Sequence, residues 1–425
     1  MPEKGLTTLD TDAAVRQSVQ SELLSRHIDM LRERSPYYSE RLWDVRGKVD
    51  LARISELPFT TKDELAAHND SFMAVPHSAV VDIATTSGTL GEPVAYQLTE
   101  SDLQRLARNE AGSYRIAGCT ETDVFQLLTT LDKRFMAGLA YFMGVRELGA
   151  TIIRSGPGAL ELQWESILRF RPTVLIAVPS FVPRLIAHGK EMGIDVNSTS
   201  VKRIICIGEP VRHADLSPNH LAQRITAQWQ VQLHSTYAST EMATAFTECS
   251  HGTGVHMQPD LVILEVIDEN GHAVQNGEAG EVVVTPLGVE GMPLLRYRTG
   301  DICHLHTGAC ACGRTTPRLG PVVGRKQQLL KLKGTSVYPT AIIEELNALP
   351  EVRNFVVEAL RDEYGLDRVL LRLTLPDPAL RQKVSDHLAA KLRVRPEIEL
   401  MTNDALNRLK LNENRRKLNI FIDRR

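Results

Sequence analysis

Apolar positions at helical spacing define the first element. Val15, Val19, Leu23, Leu24, Ile28 and Leu31 recur at helical spacing along residues 13–34, which predicts an amphipathic helix. It should end before Ser35-Pro36, because the residue ahead of a proline disfavours the helical region. Between about 80 and 285 the pattern switches repeatedly. Residues 174–178 are a short apolar run ending at Pro179-Ser180, 181–193 have helical spacing, and 201–207 run apolar into Gly208-Glu209-Pro210. Strands alternating with helices predict βαβ units and a mostly parallel sheet. Residues 281–285 form a further strand among the turns Asn270-Gly271 and Asn276-Gly277, a more β-rich texture. After Gly324-Arg325 the pattern predicts a helix at 340–349, strands at 354–359 and 369–375 around Tyr364-Gly365, and a helix at 379–392.

The fold class is therefore α/β. A large N-terminal domain over 1–325 has mostly parallel sheets and a β-rich subdomain at about 246–318; a small α+β domain of 100 residues covers 326–425. The chain has 425 residues and is 43% hydrophobic, enough for more than one core. Its formal net charge of −3, with both signs mixed along the chain, lacks the footprint of a nucleic-acid binder. No apolar run approaches the roughly 20 residues of a membrane span. The start, Met1-Pro2-Glu3-Lys4-Gly5, does not read as a secretory leader, so a soluble cytoplasmic protein is expected. That compartment argues against a framework of disulfides among the 6 cysteines, and Cys310-Ala311-Cys312 suggests a metal or buried thiols.

Residues 81–84 read as a strand leading into Thr85-Thr86-Ser87-Gly88-Thr89-Leu90-Gly91-Glu92-Pro93. Glycines permit a tight turn, and hydroxyls with backbone N–H groups can surround phosphate oxygens. A surface turn has the same composition, and the Gly-Lys-Ser/Thr ending of a Walker loop is missing. The loop resembles the phosphate loop of the adenylate-forming superfamily of acyl-CoA synthetases, luciferases and adenylation domains. Tyr237-Ala238-Ser239-Thr240-Glu241 resembles its second signature, Arg298-Thr299-Gly300-Asp301 its third, and Gly324-Arg325 with Lys333-Gly334 its domain junction. The segments 57–62, Gly208-Glu209-Pro210, 290–294 and 310–314 resemble the phenylacetate–CoA ligase branch.

That resemblance implies two half-reactions: a carboxylate attacks the α-phosphorus of ATP, releasing pyrophosphate, then CoA displaces AMP from the acyl-adenylate. It implies that Thr85, Thr86, Ser87, Gly88, Thr89 and Gly91 hold phosphate, with Gly208, Glu209 and Pro210 along the adenine side. Tyr237 would stack on adenine, with Ala238, Ser239 and Thr240 beside it, and Glu241 would hold Mg²⁺. Asp301 and Arg325 would bind ribose or phosphate, near Gly334. Lys417, six residues before Asp423, would be the catalytic lysine of a mobile small domain, with Lys410 as the alternative; Lys62 is a secondary catalytic candidate. Each has a structural alternative: Tyr237 as a core ring, Glu241 as a helix-starting acid, Asp301 in an Asx-turn, Lys62 and Lys417 as surface cations.

Cys249-x6-His256 and Cys310-x-Cys312 supply three thiolates and one imidazole, a full set for structural zinc, with His251 and Cys303 in reserve. Phe135, Tyr141 and Phe142, with Ala238 as the floor, are candidates for an aryl or arylacetic acid pocket, and helix-core packing is their alternative. Glu92, Gln327 and Arg416 depart from the superfamily pattern. They leave room for a carrier-protein or amine acceptor in place of CoA, or for a non-catalytic nucleotide-binding module. A homodimer is left open.

Overall fold

The computed structural model describes residues 6–86, 94–332, 335–363, 365–410 and 419–425. They form two compact units, Met1–Thr299 with Cys303–Pro321, and Gly300–Ile302 with Val322–Arg425. Strand pairing explains the borrowed piece: Asp301 pairs with Arg325 and Ile302 with Gly324.

The first unit opens with helices α1 (Thr8–Thr11), α2 (Ala13–Arg34), α3 (Pro36–Arg41) and α4 (Lys62–Ala67). Ser35 closes α2 and also opens α3, because Pro36 occupies the first helical turn, where its missing N–H costs nothing. An antiparallel hairpin, β1 (Asp82–Thr85) and β2 (Ala95–Leu98), leads into α5 (Glu100–Ile116). A doubly wound segment follows: β3 (Val124–Leu127), α6 (Met136–Leu148), β4 (Thr151–Arg154), α7 (Leu160–Phe170), β5 (Val174–Ala177), α8 (Val182–Glu191), β6 (Arg203–Cys206), α9 (His220–Thr226) and β7 (Gln232–Ser239). These strands pair in parallel in the order β4-β3-β5-β6-β7. β5 is buried along its whole length, as expected for a strand covered by helices on both faces.

The β-rich stretch does not form a sheet of its own. β8 (Thr244–Glu248), β9 (Val255–His256), β10 (Val262–Ile267), β11 (Ala279–Pro286), β12 (Tyr297–His306) and β13 (Arg318–Leu319) extend the same sheet beyond β7, in the order β7-β8-β9-β13-β12-β11-β10. β7 makes the transition, parallel to β6 over its first half and antiparallel to β8 over its second.

The second unit contains β14 (Gly324–Arg325), the hairpin β15 (Leu330–Leu332) and β16 (Thr335–Val337), α10 (Pro339–Asn347), β17 (Asn354–Arg361), β18 (Asp367–Thr374), α11 (Arg381–Leu392), β19 (Glu397–Leu400), α12 (Asn403–Lys410) and β20 (Phe421–Asp423). Four strands form a sheet in the order β19-β18-β17-β20, and Ile342, Leu346, Val357, Leu371, Val384 and Leu388 belong to its separate core. Among the described residues, no helix is long and apolar enough to cross a membrane.

Candidate functional site

Thr85 and Thr86 are buried at the end of β1. The Thr86 N–H donates to Val94 O (3.0 Å) and the Val94 N–H donates to Thr86 Oγ1 (3.1 Å), which closes the base of the 87–93 segment. The Thr85 N–H donates to Arg134 O (3.1 Å), tying the same base to the loop that precedes α6. Ser87, Gly88, Thr89, Gly91, Glu92, Gly334, Arg416 and Lys417 lie outside the described residues.

The carboxyl ends of parallel strands are where open α/β sheets receive ligands. β5 ends at Pro179-Ser180 and β6 at Gly208-Glu209-Pro210. The Ser180 N–H and hydroxyl each donate to the Glu209 carboxylate at 2.9 Å, joining the two loops. Gly208 has a left-handed φ of 77°, which a glycine adopts without strain, and Gly208 and Pro210 are exposed along this rim.

β7 carries the second motif. Tyr237 is buried edge-on against Phe246, with ring centroids 5.9 Å apart, and its hydroxyl donates to Thr299 Oγ1 (3.4 Å). Its ring is packed as a core residue, whereas Ala238 is exposed. Glu241 lies in the turn between β7 and β8 rather than at a helix start, and it is buried. Within that turn the Met242 N–H donates to Ser239 Oγ (3.2 Å) and the Ala243 N–H to Thr240 O (3.1 Å). The Tyr297 hydroxyl donates to Glu241 Oε1 (3.4 Å). Tyr297 is in turn bridged by Thr60, whose N–H donates to Arg296 O (3.2 Å) and whose carbonyl accepts from the Arg298 N–H (2.8 Å). Lys62 follows two residues later, at the start of α4, where a Thr61–Glu64 capping box fixes the helix.

Sequence reasoning missed the polar face of α5. Asp102, Arg105, Asn109 and Ser113 recur at helical spacing and all are buried. Asp102 accepts from the Glu290 N–H (2.7 Å) and Gly291 N–H (2.9 Å), while Asn109 Oδ1 accepts from the Ala245 N–H (2.7 Å). The available signal was this recurrence of polar residues at helical spacing, 102, 105, 109 and 113.

In the second unit, Arg325 Nε donates to Asp301 Oδ1 at 2.9 Å. Asp301 is buried, and the Arg325 side chain is half exposed. Gly324 is required sterically, because a Cβ there would lie 2.1 Å from the Tyr338 ring. Lys410 Nζ donates to Asn354 Oδ1 (2.6 Å) and lies over the Phe355 ring. The Gln327 carbonyl accepts from Arg425, which also binds Asp423 and Asp367.

The Cys/His motif converges. Cys249, His256, Cys310 and Cys312 are all buried, with one donor atom from each within 4.8 Å of the others. Cys249 Sγ and Cys310 Sγ are 3.7 Å apart, and Cys312 Sγ is 3.6 Å from His256 Nε2. Bonds of about 2.3 Å to sulfur and 2.0–2.1 Å to nitrogen in a tetrahedron give edges of roughly 3.8 and 3.6 Å, so the donor set fits zinc. His256 Nδ1 lies 3.4 Å from Thr316 Oγ1, so Nε2 faces the thiols. Burial, then the nearby Arg314 and Arg318, push the imidazole down to about 3, the neutral form that a ligand requires. The reserve candidates His251 and Cys303 are outside this group.

The three aromatic candidates for the acid pocket do not share a face. Phe135 is half-buried at the N-cap of α6. Tyr141 is buried in the core around Tyr114 and Phe125. Phe142 lies under the guanidinium groups of Arg146 and Arg154, at 6.0 and 5.5 Å. Successive helical residues point about 100° apart, so neighbours such as Tyr141 and Phe142 cannot line one wall.

Ser180, Glu209 and Glu241 each follow the carboxyl end of a strand in the parallel sheet, the place where an open α/β enzyme fold receives its ligand. A family model described as "AMP-binding enzyme" matches residues 9–289, and the chain belongs to that family. It is 31% identical over 378 residues to the phenylacetate-coenzyme A ligase of Thermus thermophilus, covering 86% of this chain and 83% of that one. The Escherichia coli phenylacetate-coenzyme A ligase is 29% identical over 342 residues, 78% and 76% of the two chains. A crystal structure of 2-hydroxyisobutyryl-CoA ligase in the postadenylation state superposes with a TM-score of 0.84 at 21% identity, covering 98% of this chain and 92% of that one, which establishes the fold.

Proposed function

We propose that this chain is an AMP-forming acid–CoA ligase acting on an aryl or arylacetic acid. Its relatives named phenylacetate-coenzyme A ligase support this reading. The observation that carries it is the buried Glu241 carboxylate on the turn after β7, on the same strand-end side as Ser180 and Glu209. In the first step the substrate carboxylate attacks the α-phosphorus and pyrophosphate leaves. In the second the CoA thiolate attacks the acyl carbonyl and AMP leaves. Thr85 and Thr86, with the loop they close, hold phosphate oxygens, and Asp301 with Arg325 binds ribose. Lys417 supplies a cation for the developing charge, Lys62 is a second one, and Phe135 and Ala238 contact the acid. Glu241 is the magnesium ligand; the ion would neutralise phosphate charge in the first step. Cys249, His256, Cys310 and Cys312 hold a zinc ion that closes loops and takes no part in the chemistry.

The test is acid-dependent pyrophosphate release with a panel of aryl acids, with and without CoA. At least one acid should release pyrophosphate, and CoA should yield the thioester. Glu241→Gln should slow release by about a hundredfold, the scale of one lost transition-state charge contact. Pyrophosphate without thioester would assign the acyl group to a carrier protein or an amine. Silence across the panel would leave a nucleotide-binding module.

A further inference from the structure

We propose that Arg105 is a positioning residue that fixes the turn presenting Glu241 and ties it to the helix leaving the β1–β2 hairpin. The proposal rests on Glu241 as the magnesium ligand of the ATP site. α5 follows β2 directly, through Thr99 at its N-cap, so its first turns are anchored to the hairpin that carries Thr85 and Thr86. From there Arg105 reaches three separate segments. Nη1 donates to Ala243 O, Nη2 to Thr244 Oγ1 (3.0 Å) and Leu261 O (2.5 Å), and Nε to Leu287 O (2.6 Å).

Two of those acceptors belong to the residues that close the Glu241 turn. Ala243 has a φ of 45°, a left-handed conformation that its Cβ resists, so the turn needs an outside hold. Arg105 is 1% exposed, and although burial pushes it down to about 10 it remains charged at neutral pH. A buried guanidinium with its donors fixed this way cannot shift without leaving a charge unpaired. One turn earlier, Asp102 holds the Glu290 and Gly291 amides, so α5 grips the 287–291 loop at two points. Arg105 thus joins the hairpin, the metal-binding turn and that loop in one rigid block.

The experiment is a double-mutant cycle on ATP binding to the full chain, followed by calorimetry with Mg²⁺ and again in chelator. Arg105→Met removes every donor and risks the fold, so Thr244→Val is the working variant and Thr244→Ser the conservative rescue. Thr244→Val should weaken magnesium-dependent ATP binding about tenfold, the scale of one hydrogen bond to a charged group. It should leave binding in chelator unchanged, and Thr244→Ser should behave as the parent. In a Glu241→Gln background Thr244→Val should cost nothing more. Equal losses in both backgrounds, or no loss in Thr244→Val, would overturn the positioning role alone. Glu241→Gln binding MgATP as tightly as the parent would instead overturn the assignment of Glu241, and the proposal with it.

Discussion

The Glu110 side chain of α5 is buried where α6 passes at Gly144, and burial alone pushes its carboxyl up to about 8. In the unfolded chain it titrates near its ordinary value of about 4.5. Between those values the folded protein keeps a proton that the unfolded chain has released. Stability contributed by this group is therefore full below about 4.5, falls as pH rises, and levels off above about 8, a loss of a few kcal/mol across the window. Glu110→Gln removes the titration. Urea unfolding should find variant and parent alike at pH 5 and the variant more stable at pH 8; parallel pH profiles would contradict this. No periodicity argument identifies such a residue, because a glutamate on a helix reads as solvent-facing until its neighbours are known. Gly144 is equally silent in the sequence. A Cβ there would lie 2.2 Å from the Glu110 Cβ, so Gly144→Ala should destabilise the protein by about 2 kcal/mol in the same assay.

At the scale of elements, the Cys/His cluster also anchors the N-terminal helices. The Thr315 N–H donates to Asp10 O (2.8 Å), Arg16 Nη2 donates to Thr315 O (3.2 Å), and the Arg314 guanidinium stands 3.7 Å from Asp10. Thr315 lies three residues beyond Cys312, so holding the thiols fixes the surface on which α1 and the start of α2 dock. Farther along α2, Gln20 donates to Pro259 O and Val262 O, and His27 bonds Leu294 O, independently of the cluster. Cys310→Ser, or prolonged chelation, should therefore raise amide hydrogen exchange in 8–16 and 310–316 while the 24–34 amides stay protected. Uniform exchange along all of α2, or zinc well below about one per parent chain, would count against this arrangement. The helix and its stop at Ser35-Pro36 were legible, the stop from proline sterics. Its buried side was only partly so: Leu24, Ile28 and Leu31 are buried as expected, whereas Val15 is exposed and Arg16, Gln20 and His27 are buried by their distant hydrogen-bond partners. Its docking partner was not legible, since Asp10 and Thr315 are joined only by tertiary folding.

For the whole molecule, the two units have separate cores, one around the β3–β7 sheet and one around β17 and β18. Domains with their own cores commonly unfold as separate cooperative units. Calorimetry of the intact chain should resolve two transitions, and MgATP should raise most the one belonging to the unit that carries Thr85 and Glu241, up to Thr299 with Cys303–Pro321. A single transition with equal calorimetric and van't Hoff enthalpies would contradict this.

The order of the four motifs, the alternation of strands with helices and the change of texture after Gly324 are local patterns. The alternation and the texture change were sufficient to indicate an α/β fold, because hydrophobic period and turn chemistry act over a few residues; the family was indicated by the resemblance of the four motifs to those of adenylate-forming enzymes. The Cys/His set was also legible from its spacing, and the structure brings Cys249, His256, Cys310 and Cys312 together. Tertiary structure alone decided that the β-rich stretch continues the parallel sheet and that Tyr141 and Phe142 face different surroundings. It also decided which carbonyls receive the Arg105 guanidinium. Each of these depends on a partner far along the chain, chosen by burial and by the need to satisfy charge and hydrogen bonds away from water.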